Sequence, residues 1–242
     1  MDLVLDHFTR RAGYYDRSSR WCTDPRLAEA TVAAMDPQSH HRLLDVACGT
    51  GLVSAAFKGK VKEIVGLDRT PAMFDQARPH VDRLVEGDAT RLPFDDASFD
   101  GVVCRQGIQF MDDQAAVQEM IRVCKPGGRV VLVHLCAYGP EDQAEYFEVL
   151  RLRNPARRNF YRREDLKKLL SSCNEVEVRD YISEEDVEAW ADNQAVQSEA
   201  VQAIRRIYEN GSAEFLALHG VQQQDGRILD RMLFGIAIGV VA

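Results

Sequence analysis

A short apolar run, a glycine or acidic stop, then a helical stretch: this unit repeats along the first half of the chain and constrains its fold most. RLLDVA (42–47) closes at Cys48-Gly49-Thr50-Gly51 and is followed by the helical LVSAAFK. EIVGLD (63–68) ends at Thr70-Pro71, an N-cap residue before a proline suited to the first helical position. A third run around 82–86 stops at Gly87-Asp88. FDGVVCRQ (99–106) precedes a helix that Asp112 or Asp113 can cap and that buries Ala116, Met120, Ile121 and Cys124. Lys125-Pro126-Gly127-Gly128 breaks that helix, and RVVLVHL (129–135) follows. Runs that are apolar throughout and interleaved with helices indicate an α/β fold, its parallel sheet covered on both faces. Ligands then bind at the carboxyl ends of the strands.

The flanking regions are less regular. Residues 1–40 read as helical and carry Phe8, Tyr14, Tyr15 and Trp21; Tyr14 and Trp21 fit a helix face packed on the sheet. EVEVRDY (175–181) alternates with period two and is expected as a strand. A helical stretch from Ser183, which suits an N-cap, runs to the Asn210-Gly211 break. A further helix leads to MLFGIAIGVVA, whose eleven residues are too few to span a bilayer and read as a buried strand. With 30 Lys and Arg against 38 Asp and Glu in 242 residues, the net charge of −8 argues against nucleic acid as a partner. Six cysteines without a C-x-x-C pair argue against a zinc site and for a reducing, cytoplasmic setting. No secretory signal opens the chain.

Gly49 and Gly51 follow a strand and open a helix, where missing side chains let a ligand approach bare backbone N–H groups. Asp68 ends the second run, where a carboxylate can accept both hydroxyls of a ribose. Asp88, ending the third, can accept from an adenine amino group, and Asp45 can orient the glycine turn or meet an ammonium group. A dinucleotide site wants G-x-G-x-x-G and no acid beside the anionic pyrophosphate, whereas here Ser54 holds the third glycine position and Asp45 precedes the turn. The pattern suits a ligand with a ribose, no phosphate and a positive end.

AGYYD (12–16), LLDVACGTG (43–51), VGLD (65–68), GDA (87–89), LPFDDASFD (92–100) and VCKPGGR (123–129) together resemble the class I S-adenosylmethionine-dependent methyltransferases of the ubiquinone and menaquinone biosynthesis (methyltransferase type 11) subgroup. The likeness covers about residues 7–136 and fades after Leu135; the family often has glycine where Ala47 stands. It implies a Rossmann-like, mostly parallel seven-stranded sheet of order 3-2-1-4-5-7-6, its seventh strand antiparallel, with helices on both faces. It implies S-adenosylmethionine as cofactor. Ala47, Gly49, Thr50 and Gly51 would lie under the methionine moiety with Asp45 near its amino group. Asp68 would hold the ribose and Arg69 would pack by the adenine, whose edge Asp88 and Ala89 would read. Arg105 and Gln106 would face the methionine end, and Tyr15 would close over the cofactor.

The expectation is therefore one methyltransferase domain over 1–242: an N-terminal helical lid (1–40), a core sheet (41–182 and 231–242) and a helical insertion before the last strand (183–230), beside the site mouth or at a dimer contact. Trp190, Phe215 and Leu216 of the insertion suit helix packing, a pocket or an interface. Tyr15 and His134, at the carboxyl end of the fifth strand, are the catalytic candidates; a structural histidine fits His134 equally well. His7, His40, His41, His80 and His219 read as peripheral. Residues 151–168 hold eight Lys and Arg against two acids, so an anionic or carrier-linked small-molecule acceptor could meet Arg157 or Arg158, although a solvated face explains such a run too. A C- or O-methylating enzyme, a non-catalytic S-adenosylmethionine-binding protein and an NAD-dependent oxidoreductase stay open, in that order.

Overall fold

The apolar runs become strands whose two faces are both covered. The computed structural model describes residues 2–192 and 196–242. In chain order the elements are α1 (Leu3–Arg11), α2 (Pro25–Met35), β1 (Arg42–Val46), α3 (Leu52–Phe57), β2 (Glu63–Asp68), α4 (Phe74–Ala77), β3 (Arg83–Glu86), β4 (Phe99–Arg105), α5 (Asp113–Val123), β5 (Cys124–Ala137), α6 (Gln143–Arg153), β6 (Tyr161–Arg162), α7 (Arg163–Leu169), β7 (Glu175–Asp186), α8 (Val187–Ala191), α9 (Ser198–Asn210), α10 (Ala213–Leu218), β8 (Gln222–Gln224) and β9 (Arg227–Val240). The strands lie in the order β3-β2-β1-β4-β5-β9-β7. Pairing is parallel from β3 through β5, and β9 runs antiparallel between β5 and β7. This is the expected 3-2-1-4-5-7-6 order, with the short β6 and β8 added beside β5 and β9.

Successive residues of each central strand fall into opposite core clusters, as the period-two alternation of a strand requires. Leu43, Val103, Val131 and Val133 pack with Leu27, Tyr146, Trp190 and Phe215. Leu44, Val102, Val130 and Leu132 pack with Met120, Leu166 and Leu170. A strand buried on both sides has no polar face, so β1, β4 and β5 read as continuous apolar runs. Trp21, Trp190 and Phe215 are buried in the first cluster, which fits the packing reading of all three. Among the described residues no helix is long and apolar enough to cross a membrane.

Three local expectations change. β5 begins at Cys124, so the Lys125–Gly128 stretch is drawn into the strand, with Gly127 at φ 77°. β7 continues to Asp186 and β9 starts at Arg227, leaving a shorter insertion than 183–230. The helix cap there is Asp186, which accepts from the N–H groups of Glu188 and Ala189; the Ser183 hydroxyl instead donates to Glu185.

His219 is not peripheral. It is fully buried, with Nδ1 2.8 Å from Asp230 and Nε2 3.0 Å from Asp142, and rings of Tyr146 and Phe215 stack beside it. Asp142 also accepts from the N–H groups of Tyr138 (2.9 Å) and Gly139 (2.7 Å), so this pair of acids ties the insertion to the end of β5 and to β9. Burial alone would favour the neutral imidazole; the two carboxylates outweigh it and raise its pKa to about 9, from an ordinary 6.5. A pKa raised on folding adds stability that is complete below about pH 6.5 and lost as pH rises through about 9. The shift corresponds to roughly 3 kcal/mol. Urea unfolding on either side of that window is expected to show a loss in the wild type that is smaller by about this amount in His219→Gln; equal losses would remove the imidazolium from the account.

Candidate active site

β1 and β4 are neighbours whose following helices depart to opposite faces: Val53 and Phe57 of α3 join one core cluster, Val117 and Met120 of α5 the other. The crevice between such strand ends is where open α/β sheets bind ligands. A cavity of about 680 Å³, mouth included, opens there. Ala47 and Gln106, just past the two strand ends, both adopt left-handed backbone (φ 56° and 55°). Each costs roughly 1–3 kcal/mol in a residue with a Cβ, strain of the kind that gathers at ligand sites.

The glycine loop is shaped from below. Asp45 is buried and accepts from the Ser54 N–H (3.1 Å) and hydroxyl (2.6 Å), which seats the first turn of α3. Burial pushes its pKa up to about 6 against the pull of these bonds and of Arg105. Gly51 caps α3 at φ 82°, where a Cβ would stand 3.1 Å from the Ala77 Cα. Gly49, at φ 53°, has open space where its Cβ would be. The expected bare N–H groups are spent internally: Cys48 donates to the Leu67 carbonyl (3.0 Å), Gly49 to Asp68 (2.8 Å) and Gly51 to the Cys48 carbonyl (2.8 Å). The loop therefore offers Cα surface rather than free donors at these three positions.

Asp68 clamps the loop to β2, one oxygen on the Gly49 N–H and the other on that of Thr70, each at 2.8 Å. Asp68 also lines the cavity, where its carboxylate can accept from a ligand hydroxyl. Burial raises its pKa, opposed by the same two N–H groups.

The N-terminal segment packs along the cavity and supplies part of its wall through Val4, Phe8 and Tyr15. Asp2 caps α1 and ion-pairs with Arg69 at the cavity rim, and the Thr50 hydroxyl donates to Asp16 (2.6 Å). Phe8 meets Phe110 edge to face at 5.0 Å and Tyr15 at 6.2 Å, giving an aromatic wall. Burial pushes the Tyr15 phenol up to about 12, so it stays protonated at neutral pH. Arg105 lies 5.8 Å from the Trp21 ring and donates to the Cys22 carbonyl (3.3 Å).

Phe8, Tyr15, Gln106 and Phe110 also face a second cavity of about 400 Å³, its open mouth included. Its remaining wall includes Arg11, Arg153 and Arg157. Arg153 donates to the Trp190 carbonyl and the Ser19 hydroxyl, both at 3.0 Å, and stacks 4.3 Å from the Trp190 ring. Arg11 bonds Ser18 (2.9 Å) and His7 (3.1 Å), while Arg157 reaches Gln106 only at 3.5 Å. Among the described residues none of the three has a carboxylate within 4.0 Å. Burial pulls Arg153 down to about 9 and Arg157 to about 10. An unpaired buried ion costs on the order of several kcal/mol.

Tyr15, Ala47, Gly49, Thr50, Asp68, Arg69, Arg105 and Gln106 thus meet at the first cavity. Asp45 and Gly51 support it from outside the lining. Asp88 and Ala89 are not brought to it: Asp88 is exposed and turned onto the N–H and hydroxyl of Thr90, and Ala89 is buried in the core. His134 lines neither cavity. On β5 its side chain shares a face with Leu132 and Cys136 and packs against Tyr161 (5.6 Å), whereas Leu135, one residue on, faces the second cavity. Burial, with Arg157 nearby, lowers its pKa to about 3, which leaves it neutral. Arg157 turns inward but Arg158 is exposed. Phe110 and Met111 line the first cavity without having been singled out; the apolar IQFM just past β4 is the signal that could have found them.

A family model described as a methyltransferase domain matches residues 44–132. The chain is 30% identical over 235 residues to a demethylmenaquinone methyltransferase of Clavibacter sepedonicus, covering 91% of this chain and 90% of that one. It is 44% identical over 142 residues to a demethylmenaquinone methyltransferase of Deinococcus radiodurans, covering 54% of this chain but only 59% of that relative's length. The crystal structure of the YcgJ protein from Bacillus subtilis superposes with a TM-score of 0.79 at 23% identity, over 88% of this chain and 97% of that one, and supports the fold. By its whole-length likeness to the Clavibacter protein and the matched domain, the chain belongs to the class I S-adenosylmethionine-dependent methyltransferases, in the ubiquinone and menaquinone type.

Proposed function

We propose that the chain transfers a methyl group from S-adenosylmethionine to a small-molecule acceptor by in-line displacement, at carbon or oxygen. The observation that carries this is the pair of adjoining cavities divided by one aromatic wall, the first at the strand-end crevice and the second beside it; in this reading the first takes the donor and the second the acceptor. In this reading Ala47, Gly49 and Thr50 bear the methionine portion, Asp68 takes the ribose hydroxyls and Arg69 packs by the adenine. Arg105 and Gln106 face the methionine end. Asp45 and Gly51 act through the shape they give the loop. The names of the relatives favour an aromatic acceptor, and the unpaired cysteines support a cytoplasmic setting.

Bound there, the cofactor supplies a methyl group already activated on a cationic sulfur. What the chain adds is alignment, which lowers such barriers by up to roughly 7–11 kcal/mol. The seated lid excludes water, and the rings of Phe8, Tyr15 and Phe110 offer π faces to a cation. The shared wall carries neither histidine nor carboxylate, and the Tyr15 phenol holds its proton. That favours an acceptor whose nucleophilic carbon or oxygen is electron-rich before it binds.

Calorimetry with S-adenosylhomocysteine tests the assignment. Asp68→Ala is expected to weaken binding by about 1.5–3 kcal/mol, with Asp68→Asn between it and the wild type. Unchanged affinity would remove Asp68 from the ribose site. Tyr15→Ala is expected to lower affinity for S-adenosylmethionine more than for the uncharged homocysteine product, by roughly 0.5–2 kcal/mol, with Tyr15→Phe close to wild type. Equal losses for the two ligands would show that the ring does not serve the sulfonium.

A further inference from the structure

Arg11, Arg153 and Arg157 line one cavity and, among the described residues, have no carboxylate within 4.0 Å, an unfavourable arrangement for the ligand-free protein. Structural compensation comes from neutral groups: Arg11 lies 5.1 Å from the Tyr15 ring and bonds the Tyr14 hydroxyl, and Arg157 lies 5.7 Å from the Phe160 ring. The carbonyl end of α6, where Arg153 sits, supplies only partial negative charge. Glu185, whose charge is felt by Arg153 from a distance, spends its oxygens on the N–H groups of Arg20 and Trp21 and on the Ser183 hydroxyl. His7 is held neutral, its pKa lowered to about 4 by burial and then by Arg11.

Further polar atoms of the same walls are buried without a partner: Arg11 Nε, Arg157 Nε, Trp21 Nε1, Gln106 Nε2 and Gln109 Oε1. Four of these five are donors. Buried donors ordinarily find acceptors, so the group that completes this cavity is rich in acceptors and negatively charged.

We infer that the second cavity anchors the methyl acceptor by a carboxylate set between Arg11, Arg153 and Arg157, with its reacting atom at the opposite end against Tyr15 and Gln106. This rests on the methyl-transfer reading above. Planar guanidinium forks match a carboxylate in paired hydrogen bonds. Leu135, Leu150 and Trp21 line the space around it, so the body of the acceptor is aromatic or aliphatic. None of the three arginines borders the cofactor cavity, so the carboxylate is the handle and another atom receives the methyl group. A phosphate ester shares the anionic chemistry, and the test separates the two.

The full chain, saturated with S-adenosylhomocysteine, is titrated calorimetrically with benzoate, salicylate, phenylacetate and hexanoate, with their carboxamides, and with phenyl phosphate. At least one carboxylate is expected to bind at least roughly tenfold more tightly than its carboxamide and than phenyl phosphate. Arg157→Met is expected to abolish that preference, to leave S-adenosylhomocysteine affinity within about twofold, and to raise the melting temperature of the ligand-free protein, because an uncompensated charge is replaced by an apolar chain. Arg157→Lys, a charge without the fork, is expected to fall between, and Arg11→Met repeats the loss of preference from the lid side. No carboxylate preference, phenyl phosphate binding as tightly, or a preference that survives Arg157→Met would overturn the inference. Wild type that fails to bind S-adenosylhomocysteine would sink the methyl-transfer reading instead, and the same titrations without it still decide whether the cavity takes a carboxylate.

Discussion

The site depends on the reversal of strand order at β1 and β4. Parallel strands end together at one edge, and here the next helices leave to opposite faces, so the crevice between the ends is open by construction. Ala47 and Gln106 turn the chain sharply at that edge in backbone unfavourable to any residue with a Cβ. Hydrogen bonds hold them there: Cys48 to Leu67, Gly49 to Asp68 and the Gln106 N–H to the Val133 carbonyl (3.0 Å). The sheet thus stabilises a strained rim, and the rim leaves room for a ligand.

Acids at successive strand ends do three different jobs, decided by burial. Asp45 is enclosed and serves the fold of the loop through Ser54. Asp68 is nearly as buried but borders the cavity, so it both binds the loop and presents lone pairs to it. Asp88 is exposed and satisfies itself on Thr90, whose N–H keeps its pKa low. Their like places at strand ends in the sequence do not distinguish them; depth below the rim does.

The same distinction explains what was legible. β1, β2, β4 and the glycine turn were readable because burial on both faces makes a strand apolar throughout and because Gly49 and Gly51 mark where side chains are excluded. His134 misled because position along β5 says how near the rim a residue stands but not which face it takes, and a shift of one residue reverses the face. His219 was unreadable for another reason: its partners, Asp142 and Asp230, lie 77 and 11 residues away, and nothing in Leu218-His219-Gly220 signals them. The basic run 151–168 was visible as charge, but charge alone did not separate exposed Arg151 and Arg158 from Arg153 and Arg157, which turn inward. The last turn of α6 decides it for Arg151 and Arg153; past the helix, the Arg157 N–H on the Asn154 carbonyl and the Arg158 N–H on the Gln109 carbonyl fix the loop that separates the other two.

The two cavities share one wall, built in part by the N-terminal segment. α1 carries Val4 and Phe8 to the donor cavity and Arg11 to the other, and it is pinned by Asp2 on Arg69 just past β2 and, through the turn that follows, by Asp16 on Thr50 of the glycine loop. Both pins touch residues that border the donor. Surface ion pairs such as Asp2 with Arg69 contribute about 0–1 kcal/mol, too little to hold a helix firmly by themselves. Packing of Phe8 on Phe110 and Tyr15 adds to them, and whatever fills the donor cavity adds contacts to the same segment. α1 therefore sets Phe8 in the wall between the cavities and Arg11 in the wall of the second.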